Sequence, residues 1–200
     1  MNESTDSIQI LTSHDPAYPQ RLSQRLGSDA PPLTILGSTN WIDGTAHPMV
    51  ALFSSVKAPA RAILQAHELA QQWRTEPITI VSGFQSPLEK EVWSVLIRDI
   101  VSPHAAPPEQ VGPRLVKVLA RGMVKRLSPQ EQHGVTMGDV VLVSPFDEQV
   151  RRATRQMAFT RNLVAAALAD RIVVGHAEEG GSTARLVEVV EGWGMGVEVV

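Results

Sequence analysis

The sequence predicts an α/β protein built on a Rossmann-like, doubly wound and mostly parallel sheet with helices on both faces. Two observations lead to this fold class. Short, continuously apolar segments recur along the chain, as expected of strands that are covered on both faces. Between them lie longer segments with apolar residues at helical spacing. This alternation is typical of parallel strands joined by right-handed helical crossovers.

The strand candidates are short segments rich in valine, leucine and isoleucine, and none has a proline inside it. β-Branched side chains pack well on a pleated surface, and a proline would remove a hydrogen bond of the sheet. The candidates are Leu33–Leu36, Met49–Phe53, Ile78–Val81, Leu115–Leu119, Val140–Val143, Ile172–Val174 and Val197–Val200.

Three longer segments predict helices between these strands, and a further helix closes the chain. Ala60–Trp73 places apolar residues on one broad face. Leu88–Ile100 follows Pro87, and proline is favoured at the first helical position. Glu148–Ala169 ends in an alanine-rich stretch with strong helix propensity. The last helix is expected to run to about Gly192.

The length of 200 residues suits one domain with a small extension. We therefore expect a lead-in segment over residues 1–32, containing a small subdomain or an edge strand, and a Rossmann-like domain over residues 33–200. Residues 101–114 are polar and rich in proline, which predicts an exposed loop.

The composition narrows the classes of function. The chain has no cysteine, which fits a reducing compartment and excludes disulfides and thiolate metal sites. It begins without a basic and apolar leader, and it has no run of about 18 apolar residues. A cytoplasmic protein without membrane contact is therefore expected. The histidines show no metal-ligand spacing, so neither a metal nor another cofactor is expected.

The formal net charge of −3 hides an uneven distribution. Residues 111–171 carry ten basic and five acidic side chains, whereas the segments on either side are both acidic. Most of this basic charge lies in "PRLVKVLARGMVKR" and "RRATRQMAFTR". Two interpretations are open: a solvated helix face, or a surface that binds anions.

One glycine-rich turn is a candidate phosphate site. Ligands of doubly wound sheets bind beyond the carboxyl ends of the strands, and "GHAEEGGST" follows a predicted strand. Gly180 and Gly181 permit a close backbone approach, and Ser182 or Thr183 can cap the next helix or bond a phosphate oxygen. An ordinary turn is the alternative, because the two glutamates before the glycines would repel phosphate.

Basic side chains form a second candidate group. Arg151, Arg155 and Asn162 are expected on one helix face with Arg161 close by, and arginines at such spacing can track a phosphodiester backbone. A salt-bridged, exposed helix face is the alternative. The other candidates come from segments that follow predicted strands: Ser54, Ser55, Lys57, Ser82, Gly83, Arg121 and Lys125.

Several segments, in this order, resemble those of the DNA-processing protein A family (DprA, also called Smf). "DPAYPQRL", with the later "PPLTILG", resembles the Tyr-Pro-x-Arg-Leu opening of that family, and "ITIVSGFQSPLEKEVW" resembles its Val-Ser-Gly element. "RLVKVLARG" resembles its Val-Leu-Gly-x-Gly strand and loop, and "VVLVSPF" stands where the family has Ser-Glu after a strand. "FTRNLVAAALADRIVVGHAEEGGSTA" resembles its Phe-x-x-Arg-Asn-Arg helix and the following turn.

The resemblance covers about residues 16–200 and implies a Rossmann-like core with a non-enzymatic function. Family members bind single-stranded DNA, help to load a recombinase and pair as homodimers, so the same partners are expected here. This chain departs from the family at two basic positions. The arginine of Gly-Ser-Arg is replaced by Ser55, with Lys57 as a near substitute, and the last arginine of Arg-Asn-Arg is replaced by Leu163.

Two other functions use the same fold. A sensor of a nucleotide-like ligand would keep the glycine-rich turn and lose DNA-contacting arginines, which agrees with these replacements. A nucleotide N-glycosidase of the phosphoribohydrolase type would need a carboxylate three residues after Thr183. The chain has Leu186 there, and a leucine performs no acid–base chemistry.

Overall fold

The chain forms one eight-stranded sheet in the computed structural model, which describes residues 8–39, 42, 47–101 and 112–200. Six neighbouring strands are parallel, and antiparallel pairings join two more strands at one edge. The strands are β1 (Ile8–Leu11), β2 (Leu33–Leu36), β3 (Met49–Ser54), β4 (Thr79–Ser82), β5 (Arg114–Val118), β6 (Val140–Ser144), β7 (Arg171–His176) and β8 (Val197–Val199).

Helices cover both faces of the sheet, because each buried strand has apolar side chains on both sides. Along β3, Val50 and Leu52 pack into the core on one face, and Ala51 and Phe53 pack into the core on the other. Three helices cover the first face: α2 (Ala60–Trp73), α3 (Pro87–Val101) and α4 (Pro129–Met137). Three cover the second: α1 (Gln20–Leu26), α5 (Arg155–Leu168) and α6 (Ser182–Gly192). The predicted doubly wound, mostly parallel class is confirmed.

The order of the strands fixes where a ligand can bind. Across the sheet the order is β1-β2-β6-β5-β4-β3-β7-β8. The chain therefore adds strands in one direction from β3 to β6 and then returns to the opposite side of β3 with β7. The carboxyl ends of β3 and β7 flank the point where the winding direction changes, and doubly wound sheets bind their ligands in the crevice at this point. We call this place the switch-point crevice.

Each of the strand candidates coincides with an observed strand to within one or two residues. The helix over Ala60–Trp73, the start at Pro87 and the end at Gly192 are also confirmed. The expected start of the long helix at Glu148 is wrong. Helix α5 begins at Arg155 because Thr154 caps it, accepting the Met157 N–H on its hydroxyl oxygen at 3.2 Å.

The segment before β2 belongs to the same packed unit. Strand β1 lies at the edge of the sheet and pairs with β2, which confirms the expected edge strand. On α1, Leu22 is fully buried in the same core as Val164 of α5. Most of the expected loop over residues 101–114 lies outside the described residues. No helix in the described part of the chain is long and apolar enough to cross a bilayer.

Candidate nucleic-acid interface

Hydrogen bonds hold the switch-point crevice together. Ser55, the first residue after β3, donates its backbone N–H to the carbonyl oxygen of His176 at the end of β7 (2.8 Å). The hydroxyl oxygen of Ser55 accepts the backbone N–H of Glu178 at 2.9 Å. These two contacts attach the glycine-rich turn over residues 177–181 to the end of β3.

The glycine-rich turn leads into α6 without a side-chain cap. Gly180 has a φ of +66°, a left-handed conformation that favours glycine. Gly181 is the N-cap residue, so the expectation that Ser182 or Thr183 caps the helix is wrong: Ser182 is already helical. Because glycine has no side-chain acceptor, the first N–H groups of α6 donate to no side chain of the cap residue. This is the arrangement in which a helix N-terminus binds anions.

A strained turn follows β4 and brings Gly83 to the same edge of the sheet. The hydroxyl oxygen of Ser82 accepts the Phe84 N–H at 3.1 Å. Phe84 has a φ of +51°, a conformation that costs a phenylalanine of the order of 1–3 kcal/mol. Its ring is buried and packs on Trp93, with the ring centroids 4.7 Å apart. Phe84 therefore packs in the core and does not offer its ring to a base.

Arg161 of α5 reaches this turn from the second face of the sheet. Its guanidinium lies against the α-carbon of Gly83, in the space that a side chain at position 83 would occupy. Only 5% of the residue is exposed, and Nε donates to the Ala158 carbonyl oxygen at 3.4 Å. Among the described residues Arg161 makes no ion pair. Burial lowers the pKa of the guanidinium, and the carboxylate of Glu89 opposes that shift.

Glu89 lies in the first turn of α3 and is 5% exposed. Its Oε1 accepts the backbone N–H of Ser54 at 3.0 Å, and its Oε2 accepts the N–H of Gln85 at 2.8 Å and that of Ser86 at 3.4 Å. The N–H of Glu89 in turn donates to Ser86 Oγ at 3.2 Å. The carboxylate therefore connects the end of β3 to the start of α3.

A second cleft, which we call the basic cleft, opens at the carboxyl ends of β5 and β6. Its volume is 880 Å³, which lies within the range of roughly 300–1,000 Å³ that is typical of ligand sites. Its apolar lining includes Ile10 and Phe146. Asp147 and Glu148 also line it. The basic side chains of the cleft are Arg121, Lys125, Arg126 and Arg151.

The structure divides the predicted site residues between these two places. Arg121 and Lys125 lie in the basic cleft, two strands from the crevice. Lys57 and Arg155 are exposed and Asn162 is half-buried, and no hydrogen bond in the described chain joins any of them to the crevice. The residues that belong to the elements meeting at the crevice are Ser54, Ser55, Ser82, Gly83, Arg161, Gly180, Gly181, Ser182 and Thr183.

The shared helix face expected for Arg151, Arg155 and Asn162 is wrong, because Arg151 precedes α5. Sequence reasoning gave Glu89 no role in the site. Its signal was present, since Ser86 and Glu89 have the spacing of a capping box, in which the two residues exchange hydrogen bonds at a helix start.

The fold and the site together define a Rossmann-like α/β protein with basic groups at the carboxyl edge of its parallel strands. The DNA recombination-mediator protein A family matches residues 9–191, and the chain belongs to that family. The resemblance to the DprA family seen in the sequence is thereby confirmed. No curated protein sequence matches the chain.

Two solved structures of DNA processing protein A share the fold. The protein from Streptococcus pneumoniae superposes with a TM-score of 0.74 at 16% identity, and the match covers 98% of this chain and 64% of that one. The protein from Helicobacter pylori superposes with a TM-score of 0.68 at 14% identity, covering 99% and 82% of the two chains. The Helicobacter protein is described as binding single-stranded DNA in a unique mode. The present chain thus spans less than two thirds of the Streptococcus protein.

Proposed function

We propose that this protein binds single-stranded DNA along the carboxyl edge of its parallel strands, as a step in DNA processing and recombination. Family membership and the DNA binding of the Helicobacter relative support this proposal. A recombinase partner and pairing into a homodimer belong to the same proposal. Chromatography with light scattering tests the pairing, and pull-down by a purified recombinase tests the partner.

The observation that carries the proposal is the burial of the Arg161 guanidinium without an ion-pair partner among the described residues. A buried guanidinium is costly unless an anion or several acceptors compensate its charge. Arg161 has one weak hydrogen bond and no ion pair among the described residues. Its position over Gly83 places it beside the switch-point crevice. A phosphate of a bound strand would supply the hydrogen-bond acceptors that Arg161 lacks, and the planar guanidinium suits phosphate oxygens well.

The basic cleft supports a strand rather than a single nucleotide. Neighbouring strands lie about 4.8 Å apart, so the ends of β3 and β5 are separated by roughly 10 Å. Arg121, Lys125 and Arg126 are exposed along this direction. Cations spaced beyond the reach of one nucleotide fit a phosphodiester backbone, which proteins contact mainly through lysine and arginine.

Binding of a fluorescent oligo-dT across a salt series tests the proposal. The wild-type protein is expected to bind, and log Kd should rise with log salt by about 0.7 for each phosphate neutralised. Arg161→Lys keeps a buried charge but loses the planar fork, and we expect it to weaken binding by about tenfold. Arg98→Ala is the matched control, because Arg98 is exposed in the last turn of α3 and bonds only Ser94 in the described chain.

Wild-type protein that binds no oligo-dT at low salt would contradict the proposal. So would an Arg161→Lys variant that is as stable as the wild type and binds DNA equally well. Thermal unfolding of each variant separates a loss of binding from a loss of fold.

A further inference from the structure

The proposed DNA site holds a buried anion of its own. Backbone N–H groups from two places, Ser54 at the end of β3 and Gln85 and Ser86 before α3, converge on the carboxylate of Glu89. Converging amides at a helix start are the groups with which α/β proteins hold phosphate. In this chain a carboxylate occupies them from inside the protein.

Capping of α3 does not account for this arrangement. A capping-box glutamate needs only the amide of its own N-cap residue, which is Ser86 here. Glu89 also accepts an N–H from Ser54, which belongs to another element, and only 5% of the residue is exposed. Beside it lies the buried guanidinium of Arg161, which makes no ion pair among the described residues.

We infer that Glu89 is a specificity-determining residue, which makes the crevice select phosphodiesters against phosphomonoesters; this inference rests on the proposed function. A diester carries one negative charge, whereas a monoester carries about 1.5 to 2 at pH 7. Arg161 supplies one positive charge to a phosphate at the crevice. The fixed charge of Glu89 repels the additional charge of a monoester, and its hydrogen bonds with the amides deny them to that monoester.

This selection determines whether the crevice binds a DNA strand or a free nucleotide. An internal phosphate of a DNA strand needs only the contact with Arg161 and further contacts along the strand. A free nucleotide depends on its terminal phosphate, so it loses the amides that would otherwise bind it. The crevice therefore binds a strand in preference to the mononucleotides that surround it in a cell.

The test compares the dinucleotide TpT, a diester, with the monoester dTMP in ³¹P NMR titrations. We expect the wild type to bind TpT more tightly than dTMP. In Glu89→Gln the ratio of the two affinities should shift toward dTMP by about tenfold, because one charge is removed at short range. Glu91→Gln, two residues further along α3 and bonded to His67, is the matched control and should leave the ratio unchanged.

A folded Glu89→Gln variant with the wild-type ratio overturns the inference, and so does a wild type that binds dTMP at least as tightly as TpT. If Glu89→Gln does not fold, the wild-type protein alone is the test: tighter binding of TpT supports the inference, and equal or tighter binding of dTMP overturns it. If wild-type protein binds neither ligand, a gain of dTMP binding in Glu89→Gln supports the inference and no gain overturns it. Oligo-dT binding is measured separately. If the protein binds no oligo-dT, the proposed function is wrong. If it binds oligo-dT and Glu89→Gln leaves the ratio of TpT to dTMP affinity unchanged, only the role of Glu89 is wrong.

Discussion

The guanidinium of Arg161 occupies the space above Gly83 that a β-carbon at position 83 would fill. The two residues come from different elements, the turn after β4 and the middle of α5, and each restricts the other. Position 83 must be glycine because the arginine approaches it so closely. The arginine can lie beside the crevice only because position 83 has no side chain.

The first prediction concerns Gly83→Ala. The added methyl group would overlap the guanidinium, so Arg161 must leave its position or the turn must shift. Overpacking of this kind costs about 1–3 kcal/mol, and we expect the free energy of unfolding to fall by that amount. Oligo-dT affinity should fall by about tenfold, as for loss of one well-placed phosphate contact. Urea unfolding and fluorescence anisotropy measure the two effects.

Gly192→Ala is the control for Gly83→Ala. A β-carbon at Gly192, at the end of α6, meets nothing within 4 Å, and this variant should be neutral or slightly stabilising. The two residues of the contact should also be coupled. In the double variant Gly83→Ala with Arg161→Ala, the losses of affinity should not add, and additive losses would show that the contact does not position the arginine.

The second prediction concerns the basic cleft. Neutralising Lys125 and Arg126 to glutamine should weaken binding of an oligo-dT of about 16 nucleotides and leave one of about 4 nucleotides unaffected, if the short strand fills only the crevice. The slope of log Kd against log salt for the long strand should fall by the equivalent of roughly one to two phosphate contacts, at about 0.7 for each contact. Equal losses for both lengths would show that the cleft and the crevice do not bind separate parts of one strand.

The parallel strands were predictable from sequence because a strand that is buried on both faces is a continuous run of apolar residues. An edge strand was expected in the first 32 residues, but the bounds of β1 were not predictable, because Ile8 and Ile10 are exposed at the edge and their register depends on β2. Helix α4 has weak apolar periodicity, yet Ser128 and Glu131 form a capping box and Gly138 ends the helix in a left-handed conformation. Helix α4 was not among the predicted helices, although these signals mark both of its ends.

The site was less predictable, because its key contacts join residues far apart in sequence. The types of residue at the strand ends are visible in the chain, but the contact between Arg161 and Gly83 depends on how α5 packs across the sheet. The bond between Glu89 and Ser54 spans two elements in the same way. Spacing within one segment carries no information about either contact.

The third prediction concerns the pH dependence of stability. Burial alone would raise the pKa of Glu131, but the hydrogen bonds from Lys117 and Ser128 hold it below its ordinary value. A carboxyl group whose pKa is lowered in the folded state stabilises the protein above its unfolded pKa of about 4.3, and this stabilisation is lost as the pH falls through the folded value. Lys117 lies 2.7 Å from Glu131 Oε1 and also over the Trp93 ring.

Lys117→Met should therefore lower the free energy of unfolding by about 1.5–3 kcal/mol at pH 7, the range for a hydrogen bond to a charged group. The difference from wild type should narrow when urea unfolding is repeated below about pH 4. Lys90→Met, at an exposed position of α3, is the control and should show little change at either pH. A difference that stays constant from pH 7 to pH 3 would show that Glu131 is not the partner responsible.

The last prediction concerns the segment before β2, which we propose as a lead-in to the domain over residues 33–200. Arg25 of α1 donates to the carbonyl oxygens of Ala167 (2.9 Å) and Ala169 (2.5 Å) at the end of α5. A cation at this position satisfies carbonyl groups that have no partner within the helix and interacts favourably with its dipole. Arg25→Met keeps the apolar stem but removes these bonds, and we expect a loss of about 1.5–3 kcal/mol in the free energy of unfolding. Arg61→Met, exposed on α2, is the matched control.

In urea the Arg25→Met variant should still unfold in a single transition, because α1 shares its core with α5. Two separate transitions would show instead that residues 1–32 form a unit independent of the sheet.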